Sequence, residues 1–286
     1  MINNKVCAIV VYYNGNIDLF AKNIIEIEKQ VQQIVVVDNG SAISAQYAVE
    51  KIKNLKYIRL EKNYGIAKAL NVGVTSIENL EIKYILTMDQ DSTLDNGCVE
   101  LLLHTINEES NIVSVGPNYN CSKMKNAYEL KKVLISSGNL VLLDWYHKVG
   151  GYDDSLFIDD VDFDFSLKLW KEGGKCAIVR DAHMQHNLGD STIGEFVFIK
   201  KRISEHSAQR YYYMYRNNKI ISNRYFDAFP IFIIKKNIMA FVHYIEVLMF
   251  HSNKKEKIAS IRQGKRDAKL YIRGNNLMNN KMDDNK

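Results

Sequence analysis

The chain has 286 residues, 47% of them apolar and 25% charged. That balance fits one large α/β domain with a short appendage, and it excludes a disordered or fibrous chain. The net charge is +5, but eight Lys or Arg against two acids lie between His251 and Asn275, a local +6 that leaves the remainder at −1. A nucleic-acid-binding main domain is therefore excluded as the leading reading.

Two prolines, Pro117 and Pro230, rule out Pro-rich linkers, and no internal repeat stands out. Met1 to Lys5 lack the apolar core of a signal peptide, so none is expected. No stretch reaches the roughly 18 uninterrupted apolar residues of a membrane span. Cys7, Cys98, Cys121 and Cys176 have no metal-type spacing and read as reduced, mostly buried thiols of a cytoplasmic protein.

Val6 to Tyr12 is a continuous β-branched apolar run, as expected of a strand covered on both faces. Helical spacing follows over Asp18 to Gln32, then a second buried strand, Ile34 to Val37, ending at Asp38-Asn-Gly-Ser41. A helix over 42–52, a strand over 57–60, a Gly65-opened helix over 66–76 and a strand over 84–88 come next. This alternation predicts a doubly wound, mostly parallel sheet flanked by helices. Further strands are expected over 112–115, 133–143 and 176–179, and a helix over 160–172 stopped by Gly173-Gly174. The domain expectation is a catalytic domain over 1–203, a helical, Tyr-rich and then basic extension over 204–274, and a disordered tail over 275–286.

The chemistry concentrates where parallel strands end, which is where such sheets bind ligands. Asp38 follows the second strand, either as a helix-capping turn residue or as a nucleotide contact. Asp89-Gln-Asp91 follows the fourth; alternate residues of extended chain point the same way, so two carboxylates face one hard cation, Mg²⁺ or Mn²⁺. Asn63 to Gly73 is a small-residue helix whose amino end, with Gly65 and Lys68, suits close packing or a nucleotide. Asp159, Asp160, Asp162 and Asp164 crowd a helix start; capping accounts for one or two of them. Asp159 or Asp160 is the candidate base for an acceptor hydroxyl, and the other two cap the helix or bind the acceptor. His186 reads either as a structural histidine or as a third metal ligand. Arg210 and Tyr213, in Arg210 to Asn217, suit a diphosphate leaving group or an aromatic helix face.

In order along almost the whole chain, these pieces resemble the inverting family 2 glycosyltransferases with the GT-A fold, and within them the bacterial rhamnosyltransferase branch. The carriers are Val10-Val-Tyr-Tyr-Asn14, Val37 to Ser41, Asn63 to Ala67, Asp89-Gln-Asp91, Ser137-Gly138, Gly150-Gly-Tyr152, Phe157 to Asp162, His186 to Asp190, Arg210 to Asn217 and Gly264 to Asp267.

The resemblance implies transfer of a sugar, L-rhamnose from dTDP-L-rhamnose first and a UDP-sugar second, to a polysaccharide or lipid-linked acceptor. It implies donor-binding positions at Tyr12, Asn14, Asp38, Asn63, Gly65, Lys68, Asp89, Gly138, Arg210 and Tyr213. Asp91, with Asp89 and His186, would bind the metal, and Asp159 or Asp160 would be the base. No Gln-x-x-Arg-Trp motif is present, so one or a few additions are expected rather than processive synthesis. The basic segment near an anionic leaflet contributes about 1 kcal/mol per charge, so peripheral contact with the inner face of the bacterial membrane is expected. A homo-oligomer is an open possibility, and a non-catalytic carbohydrate-binding protein is the alternative of another class.

Overall fold

The computed structural model describes residues 5–78, 80–186, 192–196 and 199–283; at His186, 192–196, 199–202 and 275–283 it describes backbone alone. The chain divides into two compact units. The first is Met1–Phe157 with Val161–Asn187; the second is Ile158–Asp160 with Leu188–Lys286. Three residues of the acidic loop, inside the expected 1–203 span, group with the second unit.

The first unit runs β1 (Val6–Tyr12), α1 (Ile17–Glu28), β2 (Gln33–Asp38), α2 (Gln46–Val49), β3 (Leu55–Arg59), α3 (Ile66–Thr75), β4 (Tyr84–Asp89), β5 (Ser92–Leu94), α4 (Cys98–Glu108) and β6 (Ile112–Pro117). It continues with β7 (Tyr128–Lys131), β8 (Asn139–Leu142), α5 (Leu143–Lys148), a 3-10 turn at Asp154–Leu156, α6 (Val161–Lys171), β9 (Lys175–Val179) and β10 (Met184–His186). Eight strands form one sheet in the order β3-β2-β1-β4-β8-β6-β9-β7. The first four are parallel; β8 runs antiparallel between β4 and β6, and β7 antiparallel to β9. The mostly parallel, helix-flanked sheet expected from the alternation is present.

Every residue of β1 is buried, as its uninterrupted apolar run requires. In α1, Asn16 caps the helix by accepting from the Leu19 N–H at 2.9 Å, and Phe20, Ile24 and Ile27 fall on the buried face at helical spacing. Two expected elements of this unit differ from the structure. The helix expected over 42–52 shrinks to Gln46–Val49, because Tyr57 and Arg59 occupy backbone groups of Ala45 and Ser41 that a longer helix would use. The strand expected over 133–143 forms only at 139–142: the Leu134 N–H leaves the sheet to donate to Ser166, and Gly138 turns the chain with φ +77°. The missed β7 is a half-exposed edge without an apolar run.

The second unit holds a hairpin, β11 (Thr192–Phe196) and β12 (Ile199–Ile203), then α7 (Ala208–Tyr225), α8 (Pro230–Phe250) and α9 (Lys254–Asp283). Tyr211, Tyr215, Val247 and Ile261 form a buried cluster joining the three helices. Gly264 lets α9 touch α7; a Cβ there would lie 2.4 Å from the Tyr212 carbonyl oxygen. Helix α9 continues through the 275–283 stretch expected to be disordered. Its composition is polar, yet no proline interrupts it, and Gly274 lowers helix propensity without ending the helix. No helix of the described residues is long and apolar enough to cross a membrane.

Candidate active site

Three strand ends finish level. Tyr12 lies opposite Asp38 across β1–β2, and Val11 lies opposite Asp89 across β1–β4. Asp38, Asp89 and the loop after Tyr12 therefore share the carboxyl edge of the parallel half-sheet, its ligand-binding edge.

Asp38 is fully buried. Its Oδ1 accepts from the Ser41 N–H at 2.8 Å, its Oδ2 from the Tyr57 hydroxyl at 3.0 Å, and the Arg59 guanidinium lies 3.8 Å away. Burial pushes the Tyr57 phenol up to about 12, so at neutral pH it remains a donor to this carboxylate. In this structure Asp38 holds the turn after β2. Asn14 joins the same turn: its N–H donates to Ser41 Oγ at 3.0 Å, and its side-chain oxygen accepts from Ala42 at 2.8 Å. Ser41 and Tyr57, unassigned in the sequence reading, are thus its supports.

Asp89 and Asp91 are both half-buried, and the residue between them fixes their segment. Gln90 Oε1 accepts from the Tyr13 N–H at 2.7 Å, and the Asn23 amide donates to the Gln90 carbonyl at 3.0 Å. The Asp89 N–H donates to Ser137 Oγ at 3.2 Å, and the Gly138 N–H to the Thr87 carbonyl at 2.8 Å. Gly138 is needed there: its φ is +77°, and a Cβ would lie 2.8 Å from the Pro117 ring. His186 pairs with Ser92 in the β10–β5 ladder, next to Asp91; its side chain lies outside the described residues. Two half-exposed carboxylates fit a hard divalent cation that shares its remaining ligands with phosphates.

Asn39 ties this edge to the amino end of α3. Its amide donates to Asn63 at 3.0 Å and to the Gly65 carbonyl at 3.2 Å, and accepts from the Tyr64 N–H. Gly65 lies at φ 87°, ψ 162°, a region essentially reserved for glycine, and the Ile66 N–H donates to the Phe157 carbonyl at 2.7 Å. Lys68 pairs with Asp154 at 2.9 Å. Asn71 holds the next loop through the Tyr152 N–H and carbonyl, the Tyr146 hydroxyl and Asp154, a role unmarked by any sequence signal beyond its place in the motif. Asp164 is fully buried 3.1 Å from Lys168, a structural pair. Asp162 instead lines a cleft of about 210 Å³ with Ser137, Pro117 and Phe163.

The remaining acids sit in the second unit. Asp159 and Asp160 have φ of +62° and +59°, sparsely populated for aspartate and held only by surrounding contacts. The buried Asn217 amide donates to the Ile158 and Asp159 carbonyls at 2.8 and 2.9 Å. Arg210 donates to both oxygens of Asp159 at 3.1–3.3 Å. Lys236 binds Asp160 at 2.8 and 3.0 Å. Tyr213 packs edge-on against Tyr212, ring centroids 5.1 Å apart. Asn217 and Lys236 received no role from the sequence. The signal for Lys236 was the Lys235–Lys236 pair interrupting a largely apolar helix.

A half-parallel sheet whose central strands end in a buried aspartate and an Asp-x-Asp is the frame of a nucleotide-sugar glycosyltransferase of GT-A architecture. The family model for Glycosyl transferase family 2 matches residues 7–164, more than half of the chain, and the chain belongs to that family. It is a glycosyltransferase. It is 27% identical over 277 residues to dTDP-rhamnosyl transferase RfbF of Shigella flexneri, across 89% of this chain and 92% of that one.

Solved structures share the fold at lower identity. The mannosyltransferase PcManGT from Pyrobaculum calidifontis, in complex with GDP-Man and Mn²⁺, superposes with TM-score 0.60 at 13% identity, covering 96% of this chain and 80% of that one. GalNAc-T7 with UDP, GalNAc and Mn²⁺ gives TM-score 0.62 at 13% identity over 80% of this chain, which spans about half (49%) of that structure. TarS 1–349 of S. aureus in complex with UDP-GlcNAc gives 0.52 at 15% identity, covering 90% and 70%.

Proposed function

We propose that this protein is an inverting, divalent-metal-dependent rhamnosyltransferase that moves L-rhamnose from dTDP-L-rhamnose to a hydroxyl of a cell-surface polysaccharide or lipid-linked acceptor. The observation that carries the donor half is the level row of strand ends at Tyr12, Asp38 and Asp89. The likeness to the dTDP-rhamnosyl transferase supports the choice of sugar.

Asp91, with Asp89 and His186, would hold Mg²⁺ or Mn²⁺, which supplies charge neutralisation for the departing diphosphate. Asp38 and the Asn14 turn form the floor for the base; an imide N–H would reach the Asp38 carboxylate by displacing the Tyr57 hydroxyl. Gly65 and Asn63 permit close approach of the donor, and Gly138 shapes the loop carrying Ser137. Arg210 and Tyr213 would serve the diphosphate, Arg210 by leaving its pair with Asp159 and so freeing that carboxylate.

Asp159 is our choice of base. Both carboxylates are ion-paired, Asp159 with Arg210 and Asp160 with Lys236, but the Asp159 side chain is 18% exposed against 9% for Asp160. The acceptor oxygen forms its bond to the anomeric carbon as the carbon–diphosphate bond breaks on the opposite face. The acceptor proton passes to the carboxylate. Proton NMR of the isolated product tests this: its anomeric configuration should be opposite to the donor's, and retention would overturn the mechanism.

A second reading, a UDP-sugar donor, is favoured by the UDP-containing complexes of the fold relatives; thymine and uracil offer the same imide. The α8 helix exposes Ile231, Ile238, Met239 and Phe241, each more than half accessible, and basic α9 follows it. That combination supports peripheral attachment to an anionic leaflet.

A further inference from the structure

Within the second unit, His243, Glu246 and His251 each offer a ligand atom, and those atoms lie within 4.8 Å of one another. His243 and Glu246 are three residues apart on α8 and so share one face of the helix, and His251 follows its last turn. The side chain of His251 is fully buried. Its Nδ1 meets the Tyr211 hydroxyl at 2.8 Å, while its Nε2 is buried without a hydrogen-bond partner. An unmatched ring nitrogen at such depth costs about 1–3 kcal/mol unless something binds it.

We propose that His243, Glu246 and His251 form a structural site for a borderline divalent metal, Zn²⁺ foremost, separate from the Asp89–Asp91 carboxylates and independent of the donor assignment.

Three details fit. Glu246 Oε1 stands 3.6 Å from His251 Nε2, longer than a hydrogen bond. Two ligands about 2.1 Å from a tetrahedral zinc are about 3.4 Å apart. The histidine rings, 6.0 Å between centroids, meet nearly edge-on at 78°. The tautomers also suit ligation. The Tyr215 hydroxyl gives its proton to the Ala240 carbonyl at 3.0 Å, so toward His243 Nδ1, 3.4 Å away, it accepts. In that tautomer Nδ1 of His243 carries the proton and Nε2 is the nitrogen a metal would take, with the tyrosine as its outer-shell partner; the Tyr211 hydroxyl likewise meets His251 at Nδ1, the ring nitrogen opposite the proposed ligand atom.

The nearby Lys257 carries charge of the cation's own sign, offset by Glu205. Its ammonium lies 3.4 Å from Glu205 Oε1, which is on the Nδ1 side of His251, 3.9 Å from that nitrogen. Two imidazoles and one carboxylate select zinc-type ions over Mg²⁺ or Ca²⁺. The metal would fix the last turn of α8 to the bend at His251, beside the buried cluster of Tyr211, Tyr215, Val247 and Ile261.

The test uses the full chain and the metals alone. After equilibration with Zn²⁺ and gel filtration, elemental analysis should find one zinc per chain. A chelator should lower the melting temperature by several degrees, and Zn²⁺ should restore it where Mg²⁺ does not. The Co²⁺-loaded protein should show the intense visible bands of a low-coordinate site. His251→Ala and the gentler Glu246→Gln should each weaken zinc binding by at least about 10-fold, whereas Asp91→Ala should retain the zinc. Failure of the wild-type chain to take up zinc, or unchanged zinc binding in Glu246→Gln and folded His251→Ala, would overturn the proposal.

Discussion

Replacing Gly65 by alanine tests how rigidly the donor edge is built. The glycine sits at φ 87°, ψ 162°, where a Cβ costs about 1–3 kcal/mol in backbone strain. The new methyl would lie 2.5 Å from the Phe157 carbonyl oxygen and 2.7 Å from the Phe157 Cα. Ordinary carbon–oxygen contact needs about 3.3 Å, so one side must move by roughly 0.8 Å. The neighbours are backbone, and the Ile66–Phe157 hydrogen bond at 2.7 Å spans the same gap. A loss of about 2 kcal/mol corresponds to a melting-temperature fall of about 4–8 °C for a domain of this size. A displacement approaching 1 Å at a reacting centre costs on the order of 10²-fold in rate. Scanning fluorimetry and steady-state nucleotide release on Gly65→Ala should show both losses. Wild-type melting and turnover together would refute the claim that this contact is rigid.

Asp91→Ala should abolish turnover with the melting temperature kept, since the side chain is a half-exposed strand-end group; activity surviving in excess chelator would remove the metal role. Asp159→Asn should lose turnover while donor binding, followed by nucleotide-dependent thermal shift, is kept. Asp160→Asn should retain measurable turnover, and the reverse pattern would make Asp160 the base. A chain ending near Ser252 should lose salt-sensitive sedimentation with anionic liposomes; equal binding by both chains would show that α9 is not the anchor.

The half-sheet was legible because β1, β2 and β4 are buried on both faces and therefore spell nearly unbroken apolar runs, those of β2 and β4 stopping at acids. Asp38, Asp89 and Asp91 were found by that stop signal. The supports of these acids were not legible: Gln90, Ser41, Tyr57 and Ser137 act through contacts 19 to 77 positions apart in sequence, which no local pattern encodes. The α2 and 133–143 segments were overread because apolar content marks burial and says nothing of which backbone groups are already taken. The acid cluster at 159–164 read as one feature and resolves into different duties: Asp159 and Asp160 are ion-paired on left-handed backbone, Asp162 lines a cleft, and Asp164 is buried against Lys168. The His243–Glu246–His251 cluster was invisible because its third member lies beyond the helix end.

The most direct measurement is release of nucleoside diphosphate by the purified chain across a panel of sugar nucleotides, with and without Mg²⁺ or Mn²⁺. The account predicts cation-dependent release of dTDP from dTDP-L-rhamnose in excess of every UDP- or GDP-sugar. Turnover of a UDP-hexose with dTDP-L-rhamnose left intact would contradict it.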